Sequence, residues 1–126
     1  MANPVVVVVD DDESIYEIVE ATLSKLNITT VFFDNADDAI PYIAEHQPNL
    51  ILMDLHLAYG LKGWDAIRVI KSDKTMETIP TIAFTAATGH HIRQAMQNGA
   101  DNFLNKPFSL GQLRHIVDQY VTVPSD

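Results

Sequence analysis

The chain has 126 residues, with 17 acidic side chains against 8 Lys and Arg, a formal net charge of −9 and a pI near 4.7. That length fits one ordinary domain, and the acidic balance argues against direct nucleic-acid binding and against an anionic membrane surface, both of which need clustered cations. With 47% hydrophobic residues and no cysteine, the chain can build a core but offers no disulfide framework, thiolate nucleophile or Cys-based zinc site.

The elements follow from hydrophobic patterning. Val5–Val9 is a β-branched run closed by Asp10, Asp11 and Asp12; a continuous apolar run of this length reads as a strand buried on both faces. It is far shorter than the roughly 20 residues a membrane helix needs. Met1 to Pro4 carries no basic region ahead of an apolar stretch, so no secretory signal is visible and a cytoplasmic protein is expected. Ile15, Ile18, Val19, Thr22, Leu23 and Leu26 recur at helical spacing, with Asp12, Glu13 and Ser14 supplying capping groups and favourable charge at the helix start.

Thr29–Phe33 is again β-rich. Ala36, Ala39, Ile40, Ile43 and Ala44 form a second helical stripe that stops before Gln47 and Pro48. Residues 50–53 are a third apolar run and end at Asp54, and residues 55–63, with two glycines, read as a loop. Ala66, Ile67, Val69 and Ile70 mark a third helix, Pro80 precedes a strand at Thr81–Thr85, and residues 91–98 read as a fourth helix closed by Gly99. A short strand near Phe103 and Leu104 leads to Asn105, Lys106 and Pro107. Ser109 caps a last helix with Leu113, Ile116, Val117 and Tyr120 on its inner face.

Strands alternating with helices imply right-handed βα crossovers. Five such units predict an α/β, flavodoxin-like (βα)5 doubly wound parallel sheet with strand order 2-1-3-4-5. The whole chain, 1–126, reads as one domain with its core at about 4–121, and Met1 to Pro4 and Thr122 to Asp126 read as loose ends.

In such a sheet ligands bind beyond the carboxyl ends of the strands, where the strand order reverses. That crevice lies between the first and third strands. Both end in aspartate, the fourth ends at Thr85 and the fifth leads to Lys106. Taken alone, Asp10 to Glu13 is an ordinary solvated helix start; it acquires meaning from Asp54, Thr85 and Lys106 at the same edge. Gathered carboxylates repel unless a cation sits among them, and hard oxygen donors suit Mg²⁺ better than zinc. A carboxylate can also accept a phosphoryl group as an acyl phosphate, with Mg²⁺ and Lys106 neutralising the charge that develops.

Five pieces in order, Val8-Val9-Asp10-Asp11, Leu52-Met53-Asp54, Phe84-Thr85-Ala86, residues 99–104 and Asn105-Lys106-Pro107-Phe108, resemble the receiver domain of two-component response regulators over nearly the whole length. The resemblance implies Asp54 as the phosphorylated aspartate, and Asp10, Asp11, Asp54 and the backbone carbonyl of His56 around Mg²⁺, with Mn²⁺ as an alternative. It implies Lys106 as the phosphate-pairing lysine, followed by a cis bond to Pro107, and Thr85 with Phe103 as the switch pair. The partners it implies are a histidine kinase or histidine phosphotransfer protein as donor and a downstream protein as target, with a phosphorylation-dependent homodimer as a further expectation. Its only catalysis would be its own phosphorylation and dephosphorylation. The few residues after the last helix show no output domain, leaving a stand-alone receiver or one excised from a larger protein.

The spacer before Ile15 favours Asp10 and Asp11 as the acid pair, with Asp11 and Asp12 as the alternative. Residues 57–63 depart from the family pattern: proline is absent and Lys62 precedes Gly63. His56 and Ala87 stand at positions that tune acyl-phosphate hydrolysis in this family. His90 and His91 read as exposed polar residues, Trp64 and Tyr59 as loop aromatics, and Lys62 as a surface lysine. An aspartyl-phosphate hydrolase would need a second carboxylate where His56 stands. A flavin-binding flavodoxin would need a hydroxyl- and glycine-rich phosphate loop where four acids stand.

Overall fold

The computed structural model describes residues 3–86 and 89–122. Ten elements alternate along the chain: β1 (Val5–Val9), α1 (Glu13–Ser24), β2 (Thr29–Phe33), α2 (Ala36–His46), β3 (Leu50–Asp54), α3 (Gly63–Ser72), β4 (Thr81–Thr85), α4 (Gly89–Gln97), β5 (Asn102–Asn105) and α5 (Leu110–Tyr120). The strands form one parallel sheet in the order β2-β1-β3-β4-β5, as expected from the βα rhythm.

The period of two along each strand divides the core. Val6, Val8, Leu50, Leu52, Ile82 and Phe84 face α1 and α5, where Val19, Leu23, Leu113 and Val117 cover them. Val7, Val9, Ile51, Met53 and Ala83 face α2, α3 and α4, against Ala39, Ile43, Ile67, Ile70 and Ala95. The continuous apolar runs are therefore central strands with helices on both sides. Truncating Leu52, which has no exposed surface, to alanine costs about 2–5 kcal/mol.

Helix starts are set by side chains. Asp12 accepts from the Ser14 amide at 3.0 Å, Asn35 from the Asp38 amide at 2.7 Å, and Ser109 and Gln112 form a reciprocal capping box. Gln47, with φ 52°, ends α2 in the left-handed region, and Pro48 follows.

Two expectations change, at α4 and at Pro4. The fourth helix begins at Gly89 and ends at Gln97, two residues and one residue earlier than the apolar pattern indicates, because Gly89 and His90 carry no apolar period to mark the start. Pro41 lies inside α2, where its ring nitrogen cannot donate to the Asp37 carbonyl. Pro4 is not a loose end: it is buried, and its carbonyl accepts from the Thr29 amide at 2.9 Å.

Candidate functional site

The parallel register brings the carboxyl ends of β1 and β3 side by side, with Val9 opposite Met53. Asp54 is the last residue of β3, and Asp10 directly follows β1, its amide still bonded to the Phe33 carbonyl of β2 at 2.9 Å. Asp10 and Asp54 are buried, at 1% and 5% exposure, while Asp11 is exposed. One oxygen from each of the three carboxylates lies within 4.8 Å of the others. Lys106 enters from the end of β5, its Nζ 2.5 Å from Asp10 Oδ2 and 3.6 Å from Asp54 Oδ1. The amide of Lys106 donates to the Thr85 carbonyl at 2.8 Å, and the bond to Pro107 is cis. Asp12 turns outward to cap α1, accepting from the Ser14 amide and hydroxyl at 3.0 and 2.7 Å, so the acids that face Asp54 are Asp10 and Asp11.

Charge in this pocket is unbalanced. Burial, and then the neighbouring Asp10 carboxylate, push the Asp54 carboxyl up to about 6, against the opposing pull of Lys106 and of the His56 amide. That amide donates to Asp54 Oδ1 at 3.3 Å. Three carboxylates confront one ammonium group. An octahedral Mg²⁺ with oxygen ligands at about 2.0–2.1 Å places them roughly 2.9 Å apart in adjacent positions and 4.2 Å apart across the ion. A set of hard oxygens gathered within 4.8 Å of one another suits that ion in donor chemistry, and suits Mn²⁺ as well.

Thr85, at the end of β4, is fully buried. Phe103 stands in β5 opposite Ala83 and is 39% exposed. The hydroxyl side chain is thus inside and the ring at the surface.

Beside the acids lies a ring cluster that the sequence reading missed. His91 stacks on Trp64 with ring centroids 4.6 Å apart and an interplanar angle of 17°, and meets His56 edge-on at 4.7 Å. His91 is therefore not a freely exposed polar residue. Its Nδ1 is buried without a hydrogen-bond partner, and loss of solvent, reinforced by His56 and His90, holds the ring below the usual imidazole range. Trp64 belongs to the first turn of α3 rather than to a loop, because the helix starts immediately at Gly63. Lys62 is not a free surface lysine: its Nζ donates to the Leu57 carbonyl at 2.8 Å. The available signal was positional, since His56, Trp64 and His91 all follow strand ends at one edge of the sheet. Ala87 lies outside the described residues.

Residues 6–118 match the response regulator receiver domain family, and the protein belongs to that family. It is a receiver domain of two-component signalling, a switch module. Response regulator Rre1 of Synechocystis is 32% identical over 121 residues, covering 93% of this chain and 52% of the relative. The DNA-binding response regulator MtrA of Mycobacterium tuberculosis is 31% identical over 109 residues, covering 86% of this chain and 46% of the relative. The chain thus spans about half the length of these curated relatives. Among solved structures, the receiver domain of sensor histidine kinase PA1611 from Pseudomonas aeruginosa, which has a magnesium ion coordinated in its active-site cleft, superposes with a TM-score of 0.84. It shares 26% identity and covers 94% of this chain and 98% of that one. No helix among the described residues is long and apolar enough to cross a membrane.

Proposed function

We propose that Asp54 accepts a phosphoryl group, with a divalent ion held by Asp10, Asp11, Asp54 and the backbone carbonyl of His56. The observation that carries this reading is the meeting of three carboxylates and the Lys106 ammonium in one pocket at the strand-order switch. Their juxtaposition is hard to account for as structure alone, because it leaves excess negative charge buried.

The donor is the phosphohistidine of a histidine kinase or histidine phosphotransfer protein. A carboxylate oxygen of Asp54 forms the new bond to phosphorus while the bond from phosphorus to the donor's imidazole nitrogen breaks. The imidazole leaves with the electron pair and takes up a proton. Lys106, already poised between Asp10 and Asp54, turns from Asp54 to the arriving phosphoryl oxygens. Mg²⁺, when bound, neutralises the charge developing on the transferred group. The buried Thr85 hydroxyl then donates to a phosphoryl oxygen, and Phe103 turns inward from its exposed position. Together they change the surface around β4 and β5 that a downstream protein reads, with homodimerisation as one such readout.

The chain acts as one unit with its core at about 4–121, in the cytoplasm, without crossing a membrane. Its catalysis is confined to gain and loss of its own phosphoryl group, and its acidic surface is read by protein rather than by nucleic acid.

Incubation with Mg²⁺ and acetyl phosphate, followed by intact mass, tests the acceptor. The wild type gains one phosphoryl group, Asp54→Asn gains none, and Asp11→Ala labels poorly while remaining folded. Equal labelling of Asp54→Asn overturns the assignment.

A further inference from the structure

Residues 55–62, between β3 and α3, make hydrogen bonds that phosphoryl transfer itself does not require: one reaches Asp11, and others tie the segment to the start of α2. Ala58 donates its backbone N–H to Asp11 Oδ2 at 3.0 Å. Its neighbour Tyr59 donates its hydroxyl to Asp34 Oδ1 at 2.9 Å and accepts from Asn35 Nδ2 at 3.3 Å. The Leu61 amide donates to Asp37 Oδ1 at 2.9 Å, and the Lys62 ammonium closes back on the Leu57 carbonyl at 2.8 Å. Gly60 adopts φ 72°, and a Cβ there would lie 2.6 Å from Asp37 Oδ1, so the approach to α2 depends on glycine. The segment runs from the tip of β3 past the acids of β1 to the turn between β2 and α2, and is fastened there.

The three acids are held unequally. Asp10 is buried, paired with Lys106 and bonded to the Asp12 amide. Asp54 is buried and accepts from the His56 amide. Asp11 is exposed, and the Ala58 amide orients it. A carboxylate offers about four acceptor sites, so one N–H leaves ample capacity for a cation. A ligand already fixed in its rotamer loses less freedom when the ion binds.

We propose that Tyr59 is a positioning residue for the divalent ion: anchored on Asp34 and Asn35, it holds the strap that aims the Asp11 carboxylate at Asp10 and Asp54, and so sets the affinity for Mg²⁺. This rests on the reading of Asp10, Asp11 and Asp54 as ligands. Tyr59 is 56% exposed, so removing its hydroxyl alters the anchor and hardly touches the core.

The test titrates MgCl₂ into the full chain, using calorimetry and the fluorescence of Trp64, the single tryptophan, whose ring lies 5.5 Å from that of His56. Tyr59→Phe binds Mg²⁺ about 3- to 10-fold more weakly, less than the ~10- to 100-fold expected for a group bonded directly to a ligand, because Tyr59 acts one link further away. Asp34→Ala weakens binding similarly, and the double variant is no weaker than the worse single one, since both cut the same anchor. The melting temperature of metal-free Tyr59→Phe stays within about 2 °C of the wild type, which separates positioning from stability. Unchanged or tighter Mg²⁺ affinity in Tyr59→Phe, with clear wild-type binding, overturns the proposal. A wild type that shows no saturable Mg²⁺ binding overturns the ligand assignment itself.

Discussion

Each edge of the sheet sets a lysine against aspartate, and the two arrangements end differently. At the amino edge, the Lys71 ammonium donates to the carbonyls of Glu77 and Ile79 and to Asp101 Oδ2, at 3.1, 2.8 and 2.8 Å. The Thr81 amide, at the start of β4, bonds that same carboxylate oxygen at 2.8 Å. Three N–H donors have three acceptors, and one carboxylate meets one ammonium. At the carboxyl edge, Lys106 pairs with Asp10 and reaches Asp54 while Asp11 stands by, so three carboxylates share one ammonium. A saturated polar cluster fastens the fold; a cluster left with surplus charge is ready for a ligand.

Glycine admits the charged residue at both edges, and this gives the sharpest way to break the comparison. A Cβ on Gly63 would lie 2.0 Å from the backbone oxygen of Asp54, whereas one on Gly99 would meet a side-chain atom, Lys71 Cγ, at 2.9 Å. Gly63→Ala must displace the tip of β3, costing about 3–5 kcal/mol in urea unfolding together with the Mg²⁺ response. Gly99→Ala bears mainly the strain of φ 108°, about 1–2 kcal/mol. Equal costs would show that the Asp54 turn is no tighter than its opposite number. Next in size, Lys71→Met removes the counter-charge of Asp101 and the ammonium bonds to the Glu77 and Ile79 carbonyls and loses about 2–3 kcal/mol, while its folded fraction still takes up phosphate from acetyl phosphate. Lost labelling in that folded fraction would show that the two edges are not independent.

Asp54→Asn acts in the opposite direction. With the Asp54 carboxyl raised from 3.8 to about 6, the fold disfavours the ionised form. Its stabilising contribution is therefore full below pH 3.8 and lost as pH rises through 6. Asparagine removes that loss, so metal-free Asp54→Asn is more stable than the wild type by about 2 kcal/mol at pH 7.5 and level with it near pH 4. Urea midpoints measured in EDTA at the two pH values decide it; an identical pH slope in both proteins would rule out buried repulsion.

The fold was legible where one physical signal dominated. Val5–Val9 and Thr81–Thr85 read as buried parallel strands, and the acids that close β1 and β3 mark the crevice in the sequence itself. The preference for Asp10 with Asp11 over Asp11 with Asp12 was legible only through the spacer before Ile15, because it turns on which carboxylate caps α1; the bond from the Ser14 amide shows Asp12 in that cap. The Lys62 and Tyr59 contacts were hidden for a related reason: long side chains reaching a carbonyl or a distant carboxylate leave no periodic trace. The stack of His91 on Trp64 joins the starts of two helices, so it exists only once the sheet has placed them side by side.

The smallest expected effect separates the two edges most directly. A ligand that binds only the folded state stabilises it by mass action, and free Mg²⁺ about tenfold above its Kd contributes roughly 1.4 kcal/mol. The wild type should gain that much at neutral pH, and Asp11→Ala, altered at an exposed position, should fold normally yet gain almost nothing. Asp101→Asn removes the charge facing Lys71 and loses stability, but keeps the full Mg²⁺ increment, because Asp101 is paired with Lys71 at the opposite end of the strands from Asp10, Asp11 and Asp54. A gain in Asp11→Ala equal to that of the wild type would mean that Mg²⁺ acts on the −9 net charge as a whole rather than at the tips of β1 and β3. In that case NaCl at matched ionic strength would reproduce it.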